Sequence, residues 1–251
     1  LEISDITRLS ELANKYNILL IVDSTITPPV IFNSKSLGVH IEVMSTTKFI
    51  SGGATSFGGL VIDNGLYNWK KNPNCSEFAQ KFGNDAFIAR LRKNYYRNMG
   101  TPMTAHTANY MIAGLDILVL RVERCYQNCM KLGEFLESHP KVTRADYPGL
   151  KNSPYYELAV KQFSGIPGSV MTFDLSSQEE CFQFMNRLNV IRRATNLNDN
   201  KSLIIHPYST IYTEFAEDER LKMGIRPTMM RLSVGIEGAE DLIEDIEQAL
   251  T

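Results

Sequence analysis

The chain has 251 residues, of which 43% are hydrophobic and 22% are charged, and its formal net charge is −2. This composition is ordinary for a globular protein with a sizeable core, and it excludes a nucleic-acid binder that works through a strongly basic surface. No apolar run approaches the roughly 20 residues of a membrane helix, and the four cysteines have no disulfide-framework spacing. We therefore expect a soluble protein of the reducing cytoplasm.

The first sixty residues alternate between helical and strand patterns. An amphipathic helix is predicted over residues 5–17, followed by short apolar strands at 18–22, 41–44 and 57–62. This alternation predicts an open, mostly parallel α/β sheet, in which ligands bind beyond the carboxyl ends of the strands. Asp23 and Lys48 both follow such strand ends.

Apolar residues recur every three or four positions through residues 108–138, which predicts one long helix. A coiled coil would need the same seam, but strand patterns on both sides favour a helix that connects two domains. The sequence thus predicts three parts: residues 1–107 as part of a large α/β domain, 108–138 as the connecting helix, and 139–251 as a small α+β domain. Strands are expected at 170–175, 203–205 and 229–232, with a final helix from about residue 239.

Lys48 is the first candidate for chemistry. It follows a buried strand and the hydroxyl residues Ser45, Thr46 and Thr47. Hydroxyls can hold a phosphate, while partial burial lowers the pKa of an amine and makes it a usable nucleophile for a Schiff base. A surface lysine in a polar loop is the alternative reading of the same local sequence.

Asp23 is the second candidate, because it ends the strand before that of Lys48 and a parallel arrangement would bring both to one crevice. A carboxylate there can keep a pyridine nitrogen protonated, which makes the ring an electron sink. An aspartate that only caps a turn remains an equal alternative on these residues alone.

Three segments carry a family resemblance: IVDSTITP at 21–28, STTKF at 45–49 and MRLSVGIE at 230–237. In this order they resemble successive signatures of the Cys/Met-metabolism pyridoxal 5′-phosphate (PLP) enzymes, the cystathionine γ-synthase-like group of fold-type I. Two further segments, TSFGG at 55–59 and NLNDNKSLIIHP at 196–207, are most similar to the O-acetylhomoserine sulfhydrylases. The resemblance implies a fold-type I PLP-transferase large domain, present in part, and a small carboxyl-terminal domain.

The resemblance also implies a cofactor site for PLP. Lys48 would carry the cofactor through a Schiff base and move protons between substrate carbons. Asp23 would pair with the pyridinium nitrogen, and Ser45 and Thr47 would hold phosphate oxygens.

For the substrate, the resemblance implies that Arg231 clamps the α-carboxylate with its two-pronged guanidinium and that Asn196 helps. The reaction would be a γ-replacement that converts O-acetylhomoserine and sulfide into homocysteine and acetate. A γ-lyase or a cystathionine γ-synthase of the same group, and a catalytically silent folded module, are the alternatives. The implied partners are a small amino-acid substrate, a sulfur donor and further copies of the chain, as a dimer of dimers.

The sequence departs from the family pattern at three positions. Ser24 stands where asparagine is usual, and Gly53 and Tyr212 stand where histidines are usual. The family also has further phosphate- and ring-binding residues upstream of the segments present here, so we expect this chain by itself to bind PLP weakly and to be inactive. The histidines lie apart, without carboxylates or cysteines at ligand spacing, and no metal site is predicted.

Overall fold

The computed structural model describes residues 1–251. Helix α1 (Ile6–Lys15) precedes a three-stranded sheet with the strand order β1-β2-β3, formed by Ile21–Asp23, Ile41–Ser45 and Gly59–Asp63. Strands β1 and β2 are parallel, with Asp23 opposite Val43, and β3 is antiparallel to β2. Because parallel strands end at the same edge of a sheet, Asp23 and the segment after Ser45 leave the sheet together. The expected α/β class is confirmed.

A second sheet has five strands in the order β4-β5-β8-β7-β6. These are Arg144–Asp146, Val170–Asp174, Arg192–Arg193, Leu203–Ile205 and Met229–Ser233, numbered β4 to β8 along the chain. Strand β5, an interior strand of this sheet, is buried at all five residues. The largest hydrophobic cluster lies here and includes Phe173, Phe184 and Leu232.

The other helices pack around these sheets. They are α2 (Ser76–Phe82), α3 (Ala86–Arg90), α4 (Arg97–Met99), α5 (Ala105–Asp116), α6 (Leu118–Ser138), α7 (Tyr156–Gln162), α8 (Gln178–Arg187), α9 (Glu217–Lys222) and α10 (Ala239–Leu250), with a π-helical stretch at Leu91–Tyr96. None of the helices combines the length and the apolar composition required to cross a membrane. The division into domains at residues 107 and 139 stays a prediction.

The prediction of one continuous helix over residues 108–138 is wrong. The helix is interrupted at Ile117 (φ −113°, ψ 10°), which separates α5 from α6. The two helices have different packing tasks. Gly114 of α5 lies directly on the backbone that follows Lys48, whereas α6 contributes Leu132 and Leu136 to the core of the second sheet. The first turns of α6 also pack on Phe49, so the break lies between two helices that both contact the segment after Lys48.

Gly114 permits the closest of these contacts. A Cβ atom at this position would lie 2.0 Å from the carbonyl oxygen of Ile50 and 2.7 Å from the amide nitrogen of Gly52. Backbone atoms cannot rotate away as a side chain can, so only glycine allows α5 to approach the segment after Lys48 this closely.

We expect Gly114→Ala to lower the free energy of unfolding by about 1–3 kcal/mol, because the added methyl group overlaps backbone. Chemical denaturation measures this change. Gly133→Ala in α6 is the matched control, since its Cβ would meet only the flexible side chain of Leu150 at 3.0 Å. Alanine is the better helix former, so unchanged or increased stability of Gly114→Ala would contradict the close packing.

Candidate active site

Lys48 lies in the turn that follows β2 and is half-buried. Its Nζ donates a hydrogen bond to Oδ1 of Asn196, which belongs to the loop between β6 and β7 of the second sheet. Burial lowers the pKa of Lys48 below its ordinary value, the positive charge of Arg231 lowers it further, and the negative charge of Asp199 opposes them. A depressed pKa leaves more of the amine neutral and nucleophilic.

Asp23 ends β1, and its exposed carboxylate is oriented by Thr25. Oδ1 of Asp23 accepts hydrogen bonds from the backbone nitrogen of Thr25 at 2.9 Å and from its Oγ1 at 2.6 Å. The same Oγ1 accepts a bond from the backbone nitrogen of Ser45 at 2.9 Å. Asp23 is therefore tied through one hydroxyl to the strand end that leads to Lys48.

The hydroxyl residues before Lys48 differ in what they bind. The Thr47 hydroxyl accepts a bond from the backbone nitrogen of Gly58 at 3.1 Å, and its own proton has only a 3.4 Å contact to the Gly58 carbonyl. It is therefore able to donate to a better-placed oxygen. The Thr46 hydroxyl is buried without any partner, whereas Ser45 is half-buried beside them.

Arg231 lies on β8, and one nitrogen of its guanidinium is already hydrogen-bonded within the protein. Its Nη2 donates to the carbonyl oxygens of Thr195 at 2.9 Å and Asn196 at 3.2 Å. Its Nε is buried and has no partner. Burial lowers the pKa of Arg231, and Tyr212 opposes that change. Arg231 and Tyr212 line a cavity of about 450 Å³, and Nη1 of Arg231, which makes no hydrogen bond within the protein, is the donor left for a carboxylate there.

The structure thus brings Lys48, Asn196 and Arg231 together, with Asn196 bonded to both of the others. Asp23 and Arg231 line different cavities, of about 270 and 450 Å³. Asp23 is linked to Lys48 through Thr25 and Ser45 instead of through a shared cavity wall. Asn196 was expected to bind a substrate carboxylate, but here its side-chain oxygen accepts a hydrogen bond from the Lys48 amine.

Sequence reasoning did not identify two asparagines that join the sheets. Asn198 is fully buried and has a left-handed backbone, with φ 54°. Its side chain donates to the Thr25 carbonyl at 3.1 Å and accepts from Ser169 Oγ at 3.3 Å. Asn200 Nδ2 donates to the Gly52 carbonyl at 2.6 Å. The alternation of asparagines at 196, 198 and 200 was the available signal.

Arg121 of α6 was also missed. It is buried without a carboxylate partner, and burial lowers its pKa. Its Nη2 donates to the carbonyl oxygens of Phe49 at 2.5 Å and Gly114 at 2.9 Å. A buried cation is stable only where polar groups replace water, and here these groups include the carbonyl that follows Lys48.

We expect Asn198→Gly to lower the free energy of unfolding by about 1–3 kcal/mol, because the Thr25 carbonyl and the Ser169 hydroxyl lose a buried partner. Glycine tolerates the positive φ, so the variant removes the side-chain contacts without straining the backbone. Amide hydrogen exchange around Thr25 should be faster.

The matched control is Asn17→Gly. Asn17 has nearly the same φ, 53°, but is exposed just after α1, where glycine is favoured. Equal stability losses in the two variants would contradict a role for the Asn198 side chain.

The residues present form a donor set that fits PLP. An amine can bind the carbonyl group, a carboxylate can hold the ring nitrogen, and the hydroxyls of Ser45 and Thr47 can donate to phosphate oxygens. The Nη1 of Arg231, which makes no hydrogen bond within the protein, can bind a substrate carboxylate. The set therefore matches the requirements of a PLP-dependent reaction on an amino acid.

Comparisons with known proteins agree with this geometry. A family model described as Cys/Met metabolism PLP-dependent enzyme matches residues 1–251. The O-acetyl-L-homoserine sulfhydrylase of Leptospira meyeri is 34% identical over 271 residues, covering 100% of this chain and 61% of that protein. The chain spans about 60% of the length of the first curated relatives that it matches.

Two solved structures are also similar. An O-acetylhomoserine sulfhydrylase of Wolinella succinogenes is 46% identical with a TM-score of 0.88, covering 100% of this chain and 68% of that one. A putative O-acetylhomoserine (thiol)-lyase of Campylobacter jejuni is 30% identical with a TM-score of 0.93, covering 99% and 62%. The second structure contains N′-pyridoxyl-lysine-5′-monophosphate.

Proposed function

The chain belongs to the Cys/Met-metabolism family of PLP-dependent enzymes, and on this basis we propose that it serves a γ-replacement that converts O-acetylhomoserine and sulfide into homocysteine and acetate. The observation that carries the proposal is the hydrogen bond from Lys48 Nζ to Asn196 Oδ1, in the loop whose backbone also binds Arg231. The Lys48 amine and the Arg231 guanidinium are thus both hydrogen-bonded to the same loop. The similarity to proteins named sulfhydrylases supports the choice of reaction.

Lys48 would hold the cofactor and act as the base and acid at the substrate carbons. Bound PLP supplies the electron sink that makes an α-proton removable. The pKa of Lys48, lowered by burial, leaves its amine able to take a proton at Nζ and return it. Asp23, held by Thr25, would keep the ring nitrogen protonated, and Ser45 and Thr47 would bind phosphate oxygens.

Arg231 would orient the substrate. Its Nη2 is fixed by the Thr195 and Asn196 carbonyls, so the guanidinium is held in place before substrate arrives. The uncommitted Nη1 then offers a fixed donor to an α-carboxylate, which limits the entropy lost on binding. Tyr212, which lines the same cavity as Arg231, stands where the family usually has a histidine and is a candidate contact for the rest of the substrate.

The cofactor assignment is tested by incubating the chain with saturating PLP, reducing it with borohydride and mapping the product by mass spectrometry. We expect the pyridoxyl group on Lys48 in preference to the other lysines, because the pKa of Lys48 is lowered. Lys48→Ala should abolish the labelled peptide without a change in far-UV circular dichroism. Labelling spread evenly over exposed lysines would contradict the assignment.

The reaction is tested on the protein purified from its own cells, with any co-purifying polypeptide retained. Sulfide and O-acetylhomoserine should yield homocysteine and acetate. Release of an α-keto acid and ammonia in their place would replace the proposed γ-replacement with a γ-elimination. Absence of both reactions would favour a silent module.

In the same preparation, Arg231→Lys should raise the KM for O-acetylhomoserine about tenfold to a hundredfold, the loss expected for a charge-assisted hydrogen bond. Steady-state kinetics measures it, and kcat should change less because the carboxylate is bound in both the ground and transition states. Arg192→Lys, at an exposed position on β6, is the control. An unchanged KM in Arg231→Lys would remove Arg231 from the substrate site.

A further inference from the structure

The loop between β6 and β7 makes a tight turn beneath Lys48. Asn198 in its left-handed conformation reverses the backbone, and this residue is anchored by the Ser233 hydroxyl, which accepts from its backbone nitrogen at 2.8 Å. The turn brings Asp199 back towards Asn196, three residues earlier. The Asn196 amide therefore lies between the amine of Lys48 on one side and the carboxylate of Asp199 on the other.

The hydrogen bonds define which way this amide faces. Asn196 Nδ2 donates to Asp199 Oδ2 at 3.3 Å, and Asn196 Oδ1 accepts from Lys48 Nζ. The other carboxylate oxygen, Oδ1 of Asp199, accepts from the Lys201 backbone nitrogen at 3.2 Å. A carboxylate accepts and never donates when it is ionised, so it can pair only with the NH₂ end of the amide. The carbonyl end is thereby directed at the lysine.

We propose that Asp199 is a positioning residue for Lys48, acting through Asn196 in a Lys48–Asn196–Asp199 relay. The proposal rests on the proposed function, because it assigns Asp199 to the lysine that would carry PLP. With the amide fixed, the Lys48 amine has a defined acceptor whenever it is free, and its Nζ is held at one place in the site instead of exploring several rotamers. Asp199 also supplies a negative charge on this side of the amine.

The charged groups that act on Lys48 come from two elements, and they oppose each other. Arg231 on β8 lowers the pKa of Lys48, and Asp199 in the loop raises it, while burial contributes the largest lowering. Removal of the Asp199 charge therefore shifts the pKa of Lys48 downward. The geometric role and the charge role have different signatures in a pH profile, so one substitution separates them.

The test is Asp199→Asn, measured on the full chain without PLP. Pulses of acetic anhydride across a range of pH, followed by mass spectrometry, give the modification rate of Lys48 at each pH. If the Asp199 charge acts on Lys48, the pH midpoint of Lys48 modification should be lower in Asp199→Asn. Below that midpoint, Lys48 should then be labelled on the order of twofold to fivefold faster than in the unsubstituted chain, the ratio that one partly screened charge gives. The positioning effect predicts a higher plateau at alkaline pH, because a neutral amide at 199 can pair with either end of Asn196 and the lysine is released.

The matched control is Asp63→Asn. Like Asp199, Asp63 accepts one hydrogen bond from a backbone nitrogen two residues later and one from a side chain. The donors are Gly65 N at 2.9 Å and Trp69 Nε1 at 2.8 Å. It is not among the charged groups that act on Lys48, so its loss should leave the Lys48 profile unchanged. Equal profiles for Asp199→Asn and the unsubstituted chain would overturn the proposal.

A second comparison uses Asn196→Ala. If Asp199 acts through Asn196, Asp199→Asn should no longer raise the alkaline plateau in the Asn196→Ala background, although the midpoint should still shift. An undiminished plateau change in that background would overturn the relay. All of these profiles are read without cofactor, so failure of Lys48 to take PLP would refute the proposed function and leave this test intact.

Discussion

The contact between the loop at residues 196–200 and the two strand ends of the first sheet is the constraint on which the site depends. The loop belongs to the second sheet, yet its asparagines bond Lys48, the Thr25 carbonyl and the Gly52 carbonyl. Each bond crosses from one sheet to the other. The relative position of the sheets therefore fixes the geometry of the lysine, and a shift between them would move Lys48 and Asp23 away from Arg231 together.

Three kinds of contact hold the backbone segment that follows Lys48. Gly114 supplies steric contact without a side chain, Arg121 supplies charge-assisted hydrogen bonds to the Phe49 and Gly114 carbonyls, and Asn200 binds Gly52. Backbone carbonyls that would otherwise face water thereby have buried donors. Together these contacts hold the segment after Lys48, and such support is what a precisely placed reactive amine requires.

Much of this arrangement could be predicted from the sequence. The apolar runs before Asp23 and Lys48 indicated strands, and the parallel pairing of β1 with β2 accounts for the shared edge. Helical periodicity located α6 but not the break at Ile117, because an apolar seam continues across an interruption that tertiary packing imposes. The short strands β4 and β6 were missed, since their sequences, Arg-Ala-Asp and Arg-Arg, form no apolar run.

The roles of Asn198, Asn200 and Arg121 could not be predicted from hydrophobic periodicity, for a different reason. Polar residues in a loop usually face water, and only the fold shows that Asn198 is fully buried. The partners of Asn198 and Asn200 lie more than a hundred residues earlier, at Thr25 and Gly52. Sequence spacing holds no information on such contacts.

The two buried arginines show how access separates a structural cation from a binding one. Neither Arg121 nor Arg231 pairs with a carboxylate, and burial lowers the pKa of both. The Nη2 of each donates hydrogen bonds to two backbone carbonyls, and the Nε of each is buried without a partner. Arg121 is only 3% exposed between packed helices, so no ligand can reach its Nε, and its charge serves the loop alone. Arg231 also has a buried Nε, but its side chain lines a cavity of about 450 Å³ and its Nη1 makes no hydrogen bond within the protein, so this second nitrogen is available to a substrate carboxylate.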